Sequence, residues 1–553
     1  MNEKKILAYA LENSLRYEKA AANSVLNALF NEGLKKQEIP EVMPKIKESV
    51  DKVNKMSRVE RETEFAHLLD YVKKREVKVG LPDLPSIKGK DIVMRYAPYP
   101  SGPLHIGNAR QAVLNDEYAK KYNGKLILVM DDTIGSEEKA LLKEAYKLIP
   151  DGLDWLNVDY SKPVYFKSER LEIYYKYAEE LIKKGYAYVC SCSAEELRKN
   201  RLEMKECGCR QFPLKDHLAR WKDMFKSKQG DYVLRIKTSM QDKNPAFRDR
   251  VLFRISEREH PKTKKKYRVW PLLEFSWAID DHLLGITHII RGKELEIESQ
   301  MEEFIWKIFN WPKLEIIHTG LLKIEGVKIS KSKGQKEVKE GRYVGWDDPR
   351  LWSLQSLEKR GIKPEALRKF IINLGLSKSE TTVPIDILYS ENRKLIEKSK
   401  RYFFIENPTK IKIKGFDRAR VELPLHPSLK LGKRIFNVKN EFVISQKDKE
   451  RKEEYFRLMH LLNFSRDLKF ISKELDKTLK ASPIHWLPVD STNMKKLVQV
   501  SVRMPDGSLS VGLGEEDLKT LKQGEIIQFE RFGFCRFNGK AKNKFYEFWF
   551  AHG

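Results

Sequence analysis

A turn dense in proline and glycine, PYPSGPLHIG, leads straight into an amphipathic segment that predicts a helix. The N-terminus of a helix binds phosphate, because its first N–H groups lack partners and the helix dipole is positive there. His105 stands at the predicted helix start and can donate to a phosphate or to its leaving group. Gly107 leaves room for an adenine ring against the backbone. The turn alone fits either an ordinary capped βα turn or a nucleotide site, and the nucleotide site would be formed by Pro98, Gly102, His105, Gly107 and Asn108.

A second segment about 220 residues downstream, KISKSKG, is a Ser/Gly loop with three lysines. Such a loop on its own is more often a solvated basic surface. Paired with the helix start at His105, it is interpreted as a mobile clamp whose lysines stabilise charge developing on the α-phosphate and pyrophosphate. The residues predicted to act in this clamp are Lys328, Ser330, Lys331 and Ser332, and the predicted catalytic residues are His105, Lys328 and Lys331.

Two common nucleotide motifs do not occur in the chain. There is neither a G-x-x-x-x-G-K-S/T loop nor a G-x-G-x-x-G turn. This excludes a P-loop enzyme and argues against a dinucleotide enzyme.

Four of the five cysteines lie close together, as Cys190-x-Cys192 and Cys207-x-Cys209 with fourteen residues between the pairs. Zn²⁺ takes four thiolates in tetrahedral geometry, and a closed four-ligand site is structural. The C-x-C spacing is tighter than the usual zinc spacing, so reduced thiols in a loop are the alternative. We predict structural zinc. Cys535 stands apart and is predicted to be a small buried residue in a C-terminal strand.

The elements around the nucleotide turn form a strand, a helix and a second strand within about 45 residues. Such a βαβ unit implies a parallel sheet with a right-handed crossover. The predicted regions are helical over 1–85, parallel-sheet over 86–185 and 271–345, inserted over 186–270, helical again over 346–400 and all-β over 401–553.

Charge and composition limit the class of protein. Lys and Arg number 106 against 79 Asp and Glu, for a net charge of +27, which favours a polyanionic partner over a merely basic surface. No apolar run reaches the ~18 residues of a membrane span, and the first twenty residues have no apolar core of a signal peptide. With few cysteines outside the cluster, we expect a cytoplasmic protein without a membrane partner.

Here the sequence resembles a known family. PSGPLHIGN resembles the first signature of the class I aminoacyl-tRNA synthetases, and KISKS resembles the second. The longer words RYAPYPSGPLHIGNAR, LDWLNVDY, AIDDHLLGITHIIRGKEL and QFERFGFCRF are similar to the glutamyl/glutaminyl subgroup in its archaeal and eukaryotic form. The resemblance implies a Rossmann-type catalytic domain, an acceptor-stem-binding insertion, a helical stem-contact region and anticodon-binding β-barrels, with a looser likeness in the N-terminal helical domain.

The resemblance implies ATP-dependent ligation in two steps. A glutamate carboxylate attacks the α-phosphate of ATP, taken with Mg²⁺, and a terminal ribose hydroxyl of tRNA then accepts the glutamyl group. The first step needs no general base, since a carboxylate is already ionised, so positioning and charge neutralisation carry it. The implied glutamate-binding residues are Arg95, Tyr99, Asp131, Leu273, Trp277 and Arg291. The two arginines would bind a carboxylate of glutamate, and Asp131 would bind its ammonium group. The alternative is that these residues are ordinary structural charges.

The sequence departs from the subgroup pattern at four positions. Asn108 replaces the second histidine of the first signature, and Val129 replaces an arginine that usually precedes the MDDT-like stretch. Leu273 stands for a pocket tyrosine, and Tyr99 for a smaller residue. In the cysteine set, Cys209 stands where relatives often have histidine. We predict glutamate over glutamine, because two arginines suit a carboxylate better than an amide.

The implied partners are glutamate-accepting tRNA, with glutamine tRNA left open, and a protein partner for the N-terminal helices. Aromatic residues of the β-rich region could stack on anticodon bases, although barrel core is the favoured interpretation; these are Tyr402, Phe403, Phe404 and Trp486. The rival functions are a glutaminyl-tRNA synthetase, an inactive synthetase-like tRNA-binding protein and a nucleotidylyltransferase acting on a small substrate.

Overall fold

The structure is a computed structural model that describes residues 2–72, 80–87, 89, 91–134, 140–326, 331–489 and 496–553. Its residues form two compact units, Met1–Val79 and Gly80–Gly553. Among the described residues, no helix is both long enough and apolar enough to span a bilayer.

The first unit is helical, as its apolar spacing predicts. On its third helix, buried residues recur three and four positions apart at Val42, Ile46, Val50 and Val53, which places one apolar stripe against the other helices. The helices are α1 (Glu3–Tyr17), α2 (Ala22–Asn31), α3 (Ile39–Lys55) and α4 (Arg58–His67).

The second unit begins with a βαβ arrangement. Its first two strands are apolar runs that are mostly buried, as expected for parallel strands with helices on both faces. The elements are β1 (Val93–Tyr96), α5 (Ile106–Lys121), β2 (Lys125–Met130), α6 (Ala145–Trp155), β3 (Ser161–Phe166) and α7 (Leu171–Lys183).

An antiparallel four-stranded sheet interrupts the parallel one, in the order β4-β5-β6-β7. Its core is shared with α7, so the inserted sheet is packed against the parallel-sheet domain. The elements are β4 (Ala187–Cys190), α8 (Ala194–Leu202), α9 (Leu214–Met224), β5 (Val233–Ile236), β6 (Val251–Ile255) and β7 (Val269–Pro271).

The parallel sheet then resumes with α10 (Leu273–Leu283), β8 (His288–Gly292), α11 (Glu296–Phe309) and β9 (Glu315–Thr319). The five parallel strands lie in the order β3-β2-β1-β8-β9. Successive strands run outward from β1 on one side and from β8 on the other. The switch point of the sheet therefore lies between β1 and β8, and in such sheets ligands bind outside the carboxyl ends of the strands at this point.

Short elements connect the sheet to the C-terminal region. β10 pairs in parallel with β11. Helix α14 packs on α5, and helix α13 packs on α6. The elements are β10 (Leu322–Ile324), α12 (Lys331–Lys339), α13 (Leu354–Arg360), α14 (Pro364–Leu374), β11 (Thr381–Val383) and α15 (Asp386–Ile396).

The described part of the C-terminal region is all-β apart from the short helix α16 (Gln446–Lys449) and a 3₁₀ helix at Glu516–Thr520. Its largest sheet has seven strands in the order β12-β25-β26-β27-β23-β24-β13. The elements are β12 (Arg401–Tyr402), β13 (Phe404–Glu406), β14 (Pro408–Lys412), β15 (Ala419–Pro424), β16 (Lys433–Val438), β17 (Glu441–Ser445), α16 (Gln446–Lys449), β18 (Tyr455–Leu458), β19 (Leu462–Ser465), β20 (Phe470–Ser472), β21 (Ser482–Ile484), β22 (Leu487–Pro488), β23 (Val498–Arg503), β24 (Leu509–Gly514), β25 (Ile526–Phe529), β26 (Gly533–Lys540) and β27 (Tyr546–His552).

Two hydrophobic cores fill this β region, one within residues 403–489 and one made mainly by the strands after residue 498. The four aromatic residues considered for base stacking are all buried in these cores, which fits the favoured interpretation that they are core residues of the β region: Tyr402, Phe403, Phe404 and Trp486. The predicted fold class is confirmed: a Rossmann-type parallel sheet, helices before it and an all-β region after it.

Candidate active site

His105 begins helix α5 and holds the helix start with its own ring. Its Nδ1 accepts hydrogen bonds from the backbone N–H groups of Gly107 at 3.0 Å and Asn108 at 3.3 Å. The side chain of Asn108 also contacts His105, because its Oδ1 accepts a hydrogen bond from the backbone N–H of His105 at 3.3 Å. Since Nδ1 is an acceptor, the neutral ring carries its proton on Nε2. The single N–H donor of the ring is therefore at Nε2.

Gly107 is needed for this arrangement. A Cβ at position 107 would lie 2.9 Å from Cε1 of His105, closer than side-chain carbons approach in proteins. The sequence predicted that Gly107 makes room for an adenine ring. In the structure its missing side chain makes room for the ring of His105, and the contact with adenine stays a prediction.

The other two nucleotide-turn residues shape the path of the chain. The carbonyl of Pro98 accepts a hydrogen bond from the Asp131 N–H at 3.1 Å, which ties the turn to the end of β2. Gly102 has a φ of +152°, and a Cβ there would lie 3.5 Å from the ring of Trp346. The turn is thus held from both sides, by β2 and by the loop that follows α12.

The loop between α12 and α13 clamps the start of α5. The N–H of Ile106 donates to the carbonyl of Trp352 at 3.1 Å, and the N–H of Leu354 donates to the carbonyl of Leu104 at 2.8 Å. These two bonds flank His105, so this residue is part of a short antiparallel bridge with Ser353.

The same loop also contacts the predicted lysine segment. Helix α12 begins at Lys331, and a Cβ at Gly334 in its first turn would lie 2.5 Å from the side chain of Leu351. Leu351 is one residue before Trp352, which anchors α5. The helix start at Lys331 and the helix start at His105 therefore pack against one continuous segment. Lys328 and Ser330 lie outside the described residues, as do the side chains of Lys331 and Ser332.

Three cations surround the indole ring of Trp277. The Arg95 and Arg291 guanidinium carbons lie 5.0 Å from the ring centroid, and Nζ of Lys167 lies at 4.8 Å. Lys167 is fully buried, and the other three residues are almost so. Cations over an indole face are attracted by its quadrupole, more strongly where water is excluded. Within the described part of the chain, Trp277 Nε1 has no hydrogen-bond partner.

Each arginine of this cluster has a buried acidic partner. Arg95 donates to both carboxylate oxygens of Asp281, at 2.5 and 3.0 Å. Arg291 donates to Oε1 of Glu302 at 2.9 Å, while Oε2 of Glu302 is buried with no partner among the described residues. Burial raises the pKa of Glu302 to about 7 despite the neighbouring arginines. This carboxyl is thus poised to change charge near neutral pH.

Lys167 joins the cluster to the end of β2. Its Nζ lies 3.0 Å from Oδ1 of Asp131 and donates to the Ser276 hydroxyl at 2.8 Å. Beyond this ion pair, Oδ1 of Asp131 has no partner among the described residues, so it keeps capacity for another donor. Burial lowers the pKa of Lys167, with Asp131 acting against the shift.

The remaining two predicted pocket residues lie at its margin. Tyr99 is half-buried in the nucleotide turn, and burial together with the nearby charge of Asp131 raises its pKa. Leu273 is the first residue of α10 and is half-buried, one helical turn before Trp277. The pocket is centred on the switch point of the sheet, because Arg95 belongs to β1 and Arg291 to β8.

Comparison with known proteins decides the family. A model described as "tRNA synthetases class I (E and Q), catalytic domain" matches residues 91–398, and two anti-codon binding domain models of the same group match residues 399–480 and 483–538. The chain belongs to the class I tRNA synthetases of the E and Q group. It is therefore a ligase of the aminoacyl-tRNA synthetase family, which uses ATP and binds tRNA.

Relatives of the synthetase match it from end to end. The glutamate–tRNA ligase of Methanocaldococcus jannaschii is 41% identical over 98% of this chain and 99% of its own length. That of Methanothermobacter marburgensis is 38% identical over the whole of both chains. A solved glutamate-tRNA synthetase from Elizabethkingia anophelis aligns at 22% identity and a TM-score of 0.40, covering 56% of this chain and 72% of its own.

The insertion of the synthetase gathers its four clustered cysteines. Their sulfurs all lie within 4.8 Å of one another, and the Cys190 and Cys207 sulfurs are 3.7 Å apart. Arg235 is fully buried beside them, with Nη1 at 3.5 Å from Cys207 and 3.9 Å from Cys190. A hydrogen bond from Cys190 lowers the pKa of Cys207 to about 4, and Arg235 acts in the same direction. The four sulfurs are thus close enough together that they could hold one metal ion.

Three residues of the synthetase pocket were missed by sequence reasoning: Lys167, Asp281 and Glu302. Lys167 directly follows β3, at the same carboxyl edge as Asp131, and this position was a usable signal. Asp281 and Glu302 lie within helices, where nothing local distinguishes them from surface acids.

Proposed function

We propose that the chain is a glutamate–tRNA ligase. It activates L-glutamate with ATP to glutamyl-AMP and pyrophosphate, and transfers the glutamyl group to the 3′ end of tRNA. The observation that carries the amino-acid choice is the cluster of Arg95, Lys167 and Arg291 around Trp277. Each of these cations has an acidic partner, but Glu302, whose pKa burial raises to about 7, leaves Arg291 without a counter-charge when it is protonated, and this favours a dicarboxylate over an amide.

The nucleotide half of the site is proposed to act through position and charge. The phosphates of ATP, taken as its Mg²⁺ complex, lie at the N-terminus of α5, where the helix dipole and the Nε2–H of His105 face the anion. Lys328 and Lys331, which precede or begin α12 in the sequence, are proposed to supply further positive charge to these phosphates. An oxygen of the glutamate α-carboxylate attacks the α-phosphorus, the bond to the bridging oxygen breaks, and pyrophosphate leaves with its negative charge held by these groups.

The amino-acid half is proposed to exchange internal ion pairs for substrate. When Glu302 is protonated, the charge of Arg291 is available to the substrate. The side-chain carboxylate of glutamate then pairs with Arg291 in place of Glu302. The substrate ammonium binds Asp131, whose Oδ1 has room for a further donor. Lys167 supplies a cation near the position of Val129, because Val129 pairs with Tyr165 two residues before Lys167.

We infer that the cysteine set holds one structural zinc ion. Tetrahedral Zn–S bonds of about 2.3 Å place sulfurs about 3.8 Å apart, and the Cys190–Cys207 separation of 3.7 Å fits this edge. The guanidinium of Arg235 offsets the negative charge of a zinc ion with four thiolates. The ion would cross-link β4 to the segment before α9; Cys190, Cys192, Cys207 and Cys209 would hold it.

The tRNA is proposed to contact the insertion at its acceptor end and the β-rich region at its anticodon. The net charge of +27 supports a polyanionic partner of this length. We expect the enzyme to work in the cytoplasm. A protein partner for the N-terminal helices stays a prediction.

Charging assays test the proposed function. Purified tRNA for glutamate and for glutamine is offered separately with each amino acid, with ATP and Mg²⁺. We expect glutamate to be attached and glutamine to be rejected. Preferential attachment of glutamine would establish the glutaminyl rival, and tRNA binding without charging by either amino acid would establish an inactive tRNA-binding protein. The His105→Ala variant serves as the catalytically impaired control.

A further inference from the structure

Three side chains beside the amino-acid pocket form a buried chain of hydrogen bonds that ends at Arg291. His318 lies on β9, Ser299 on α11 and Arg291 on β8. Arg291 and His318 are direct partners in the parallel pairing of the two strands, so their side chains leave the sheet on the same face. The hydroxyl oxygen of Ser299 lies 2.7 Å from Nε2 of His318 and 3.1 Å from Nε of Arg291. All three residues are more than nine-tenths buried.

The hydroxyl of Ser299 has a fixed hydrogen-bond capacity. A serine oxygen accepts two hydrogen bonds and donates one. Arg291 uses both acceptor positions, because its Nε–H and one Nη2–H both donate to Ser299. The single O–H of Ser299 is left for its two other contacts, which are Nε2 of His318 at 2.7 Å and the carbonyl of Leu295 at 2.9 Å.

This count assigns the tautomer of His318. An Nε2–H would be a third donor to an oxygen whose two lone pairs are already used by Arg291. Nε2 of His318 therefore accepts from the O–H of Ser299, and the neutral ring carries its proton on Nδ1.

The charges around His318 keep its ring neutral near pH 7. Burial lowers the pKa of His318, and the charge of Arg291 acts in the same direction. Three further charges face the ring, from α11 and from the segment before β11: Glu296 and Glu303, which act against this shift, and Lys378, which adds to it. The hydrogen bond that Nε2 accepts is thus present at neutral pH.

The same contacts determine which N–H groups of Arg291 remain for a ligand. A guanidinium has five N–H donors in a planar fork. Ser299 takes the Nε–H and one Nη2–H, and Glu302 takes one Nη1–H. Among the contacts of the described residues, one N–H is left on each terminal nitrogen for a carboxylate. Ser299 therefore fixes the orientation of the fork without using up these two donors.

We propose that His318 is a positioning residue for glutamate, which acts through Ser299 on Arg291. The inference rests on the proposed ligase function, since Arg291 is the proposed partner of the substrate carboxylate. Neutral His318 accepts the O–H of Ser299 and so leaves both lone pairs of that oxygen to the guanidinium. In the imidazolium form, Nε2–H donates to Ser299, whose O–H then turns to the carbonyl of Leu295 and whose oxygen keeps one lone pair for Arg291. The guanidinium is then held by one hydrogen bond fewer, with a second positive charge beside it.

The test measures the KM for glutamate in ATP–pyrophosphate exchange, with tRNA present, from about pH 5 to 8. In the wild type KM should rise as the pH falls below 6.5, the ordinary pKa of histidine, because burial shifts the pKa of His318 downward. The kcat should change less, since the loss is in substrate binding. Ser299→Ala removes the oxygen that holds Arg291. Its KM should be about ten-fold higher at neutral pH and should lack the acid rise.

Two substitutions of His318 separate its hydrogen bond from its shape. His318→Gln offers an amide oxygen to Ser299 and cannot ionise, so KM should stay near the wild-type value at neutral pH without the acid rise. His318→Leu offers no acceptor, so its KM should be about five-fold higher at every pH. His282→Gln is the matched control, because this half-buried histidine of α10 stacks on Trp311 and burial lowers its pKa too. This control should keep the wild-type profile, including the acid rise.

The opposite results are equally specific. A His318→Gln profile that keeps the acid rise would overturn the proposal. Equal losses in His318→Gln and His318→Leu, with lower unfolding temperatures in both, would indicate a purely structural residue and would overturn it as well. A wild type that shows no exchange with glutamate would reject the ligase function, whereas an active wild type with unchanged kinetics in Ser299→Ala would reject the hydrogen-bond chain alone.

Discussion

The ring of His105 occupies the space that a side chain at Gly107 would fill, with Cε1 only 2.9 Å from that Cβ position. We therefore expect Gly107→Ala to displace the ring and to lose its two backbone contacts. The rate of ATP–pyrophosphate exchange, measured with glutamate and tRNA present, should fall about 100-fold, within the range for loss of one transition-state donor.

The Gly107→Ala result has a matched comparison. The exchange rate of His105→Ala should fall by a similar factor. The rate of the double variant His105→Ala/Gly107→Ala should fall little further, because both changes remove the same donor. Additive losses in the double variant would show that Gly107 acts independently of His105.

Lys167 is expected to set glutamate affinity. Lys167→Met removes a fully buried cation from the face of Trp277 and leaves Asp131 without its ion partner. The KM for glutamate should rise at least about ten-fold, the range for a charged hydrogen bond, while Lys167→Arg should keep part of the affinity. An unchanged KM in a folded Lys167→Met protein would remove Lys167 from the pocket.

The pH dependence of glutamate binding should depend on Glu302. Its pKa is raised to about 7 by burial, so it is neutral below that pH and anionic above it. Below about pH 7 Arg291 is free for the substrate carboxylate, and above it Glu302 competes. The KM for glutamate should therefore rise as the pH increases from about 6 to 8.

Two variants check this assignment. Glu302→Gln cannot ionise and should flatten the profile of KM against pH. Glu303→Gln removes the neighbouring acid, which pairs with Lys313 at 3.0 Å, and should leave the profile unchanged. A profile that keeps its slope in Glu302→Gln would assign the titration to another group.

The nucleotide turn could be predicted from sequence because its determinants are local. A strand, a glycine-rich turn and a helix within 45 residues define both the fold of this segment and the position of His105. The role of Gly107 could not be deduced, because it depends on a side-chain rotamer of His105. The parallel sheet followed from the same βαβ pattern, and the buried β-region aromatics followed from their preference for strand cores.

The ion pairs of the amino-acid pocket were beyond sequence reasoning. Arg95 pairs with Asp281, 186 residues away, and Lys167 contacts Ser276, 109 residues away. No local periodicity reports such pairs, since they arise only when the sheet brings β1, β3 and α10 together. The buried acids therefore looked like ordinary helix-surface residues until the packing was known.

Zinc content is expected at one ion per chain, measured by elemental analysis of protein purified without chelators. Cys207→Ser should abolish it and lower the thermal unfolding temperature, because a structural ion contributes its binding free energy to folding. Cys535→Ala removes a fully buried thiol of β26 far from the cluster in sequence and should keep the ion. Full zinc content in Cys207→Ser would exclude the four-cysteine site.

The contact between Gly334 and Leu351 links the lysine segment to the His105 turn. A Cβ at position 334 would lie 2.5 Å from the Leu351 side chain, so Gly334→Ala must push the start of α12 or move Leu351. The proposed role of Lys331 in charge stabilisation depends on the position of this helix start. We expect kcat for activation to fall about ten-fold with little change in KM for glutamate, since misplacement affects the transition state most.

A second substitution separates this effect from a general loss of fold. Leu351→Ala shortens the obstructing side chain, so Gly334→Ala/Leu351→Ala should recover most of the lost kcat even though Leu351→Ala alone destabilises the protein. Recovery requires that the two residues act through their mutual contact. If the double variant were slower than both single variants, the steric link between α12 and the loop before α13 would not control catalysis, and the convergence of the two helix starts on one nucleotide would lose its main support.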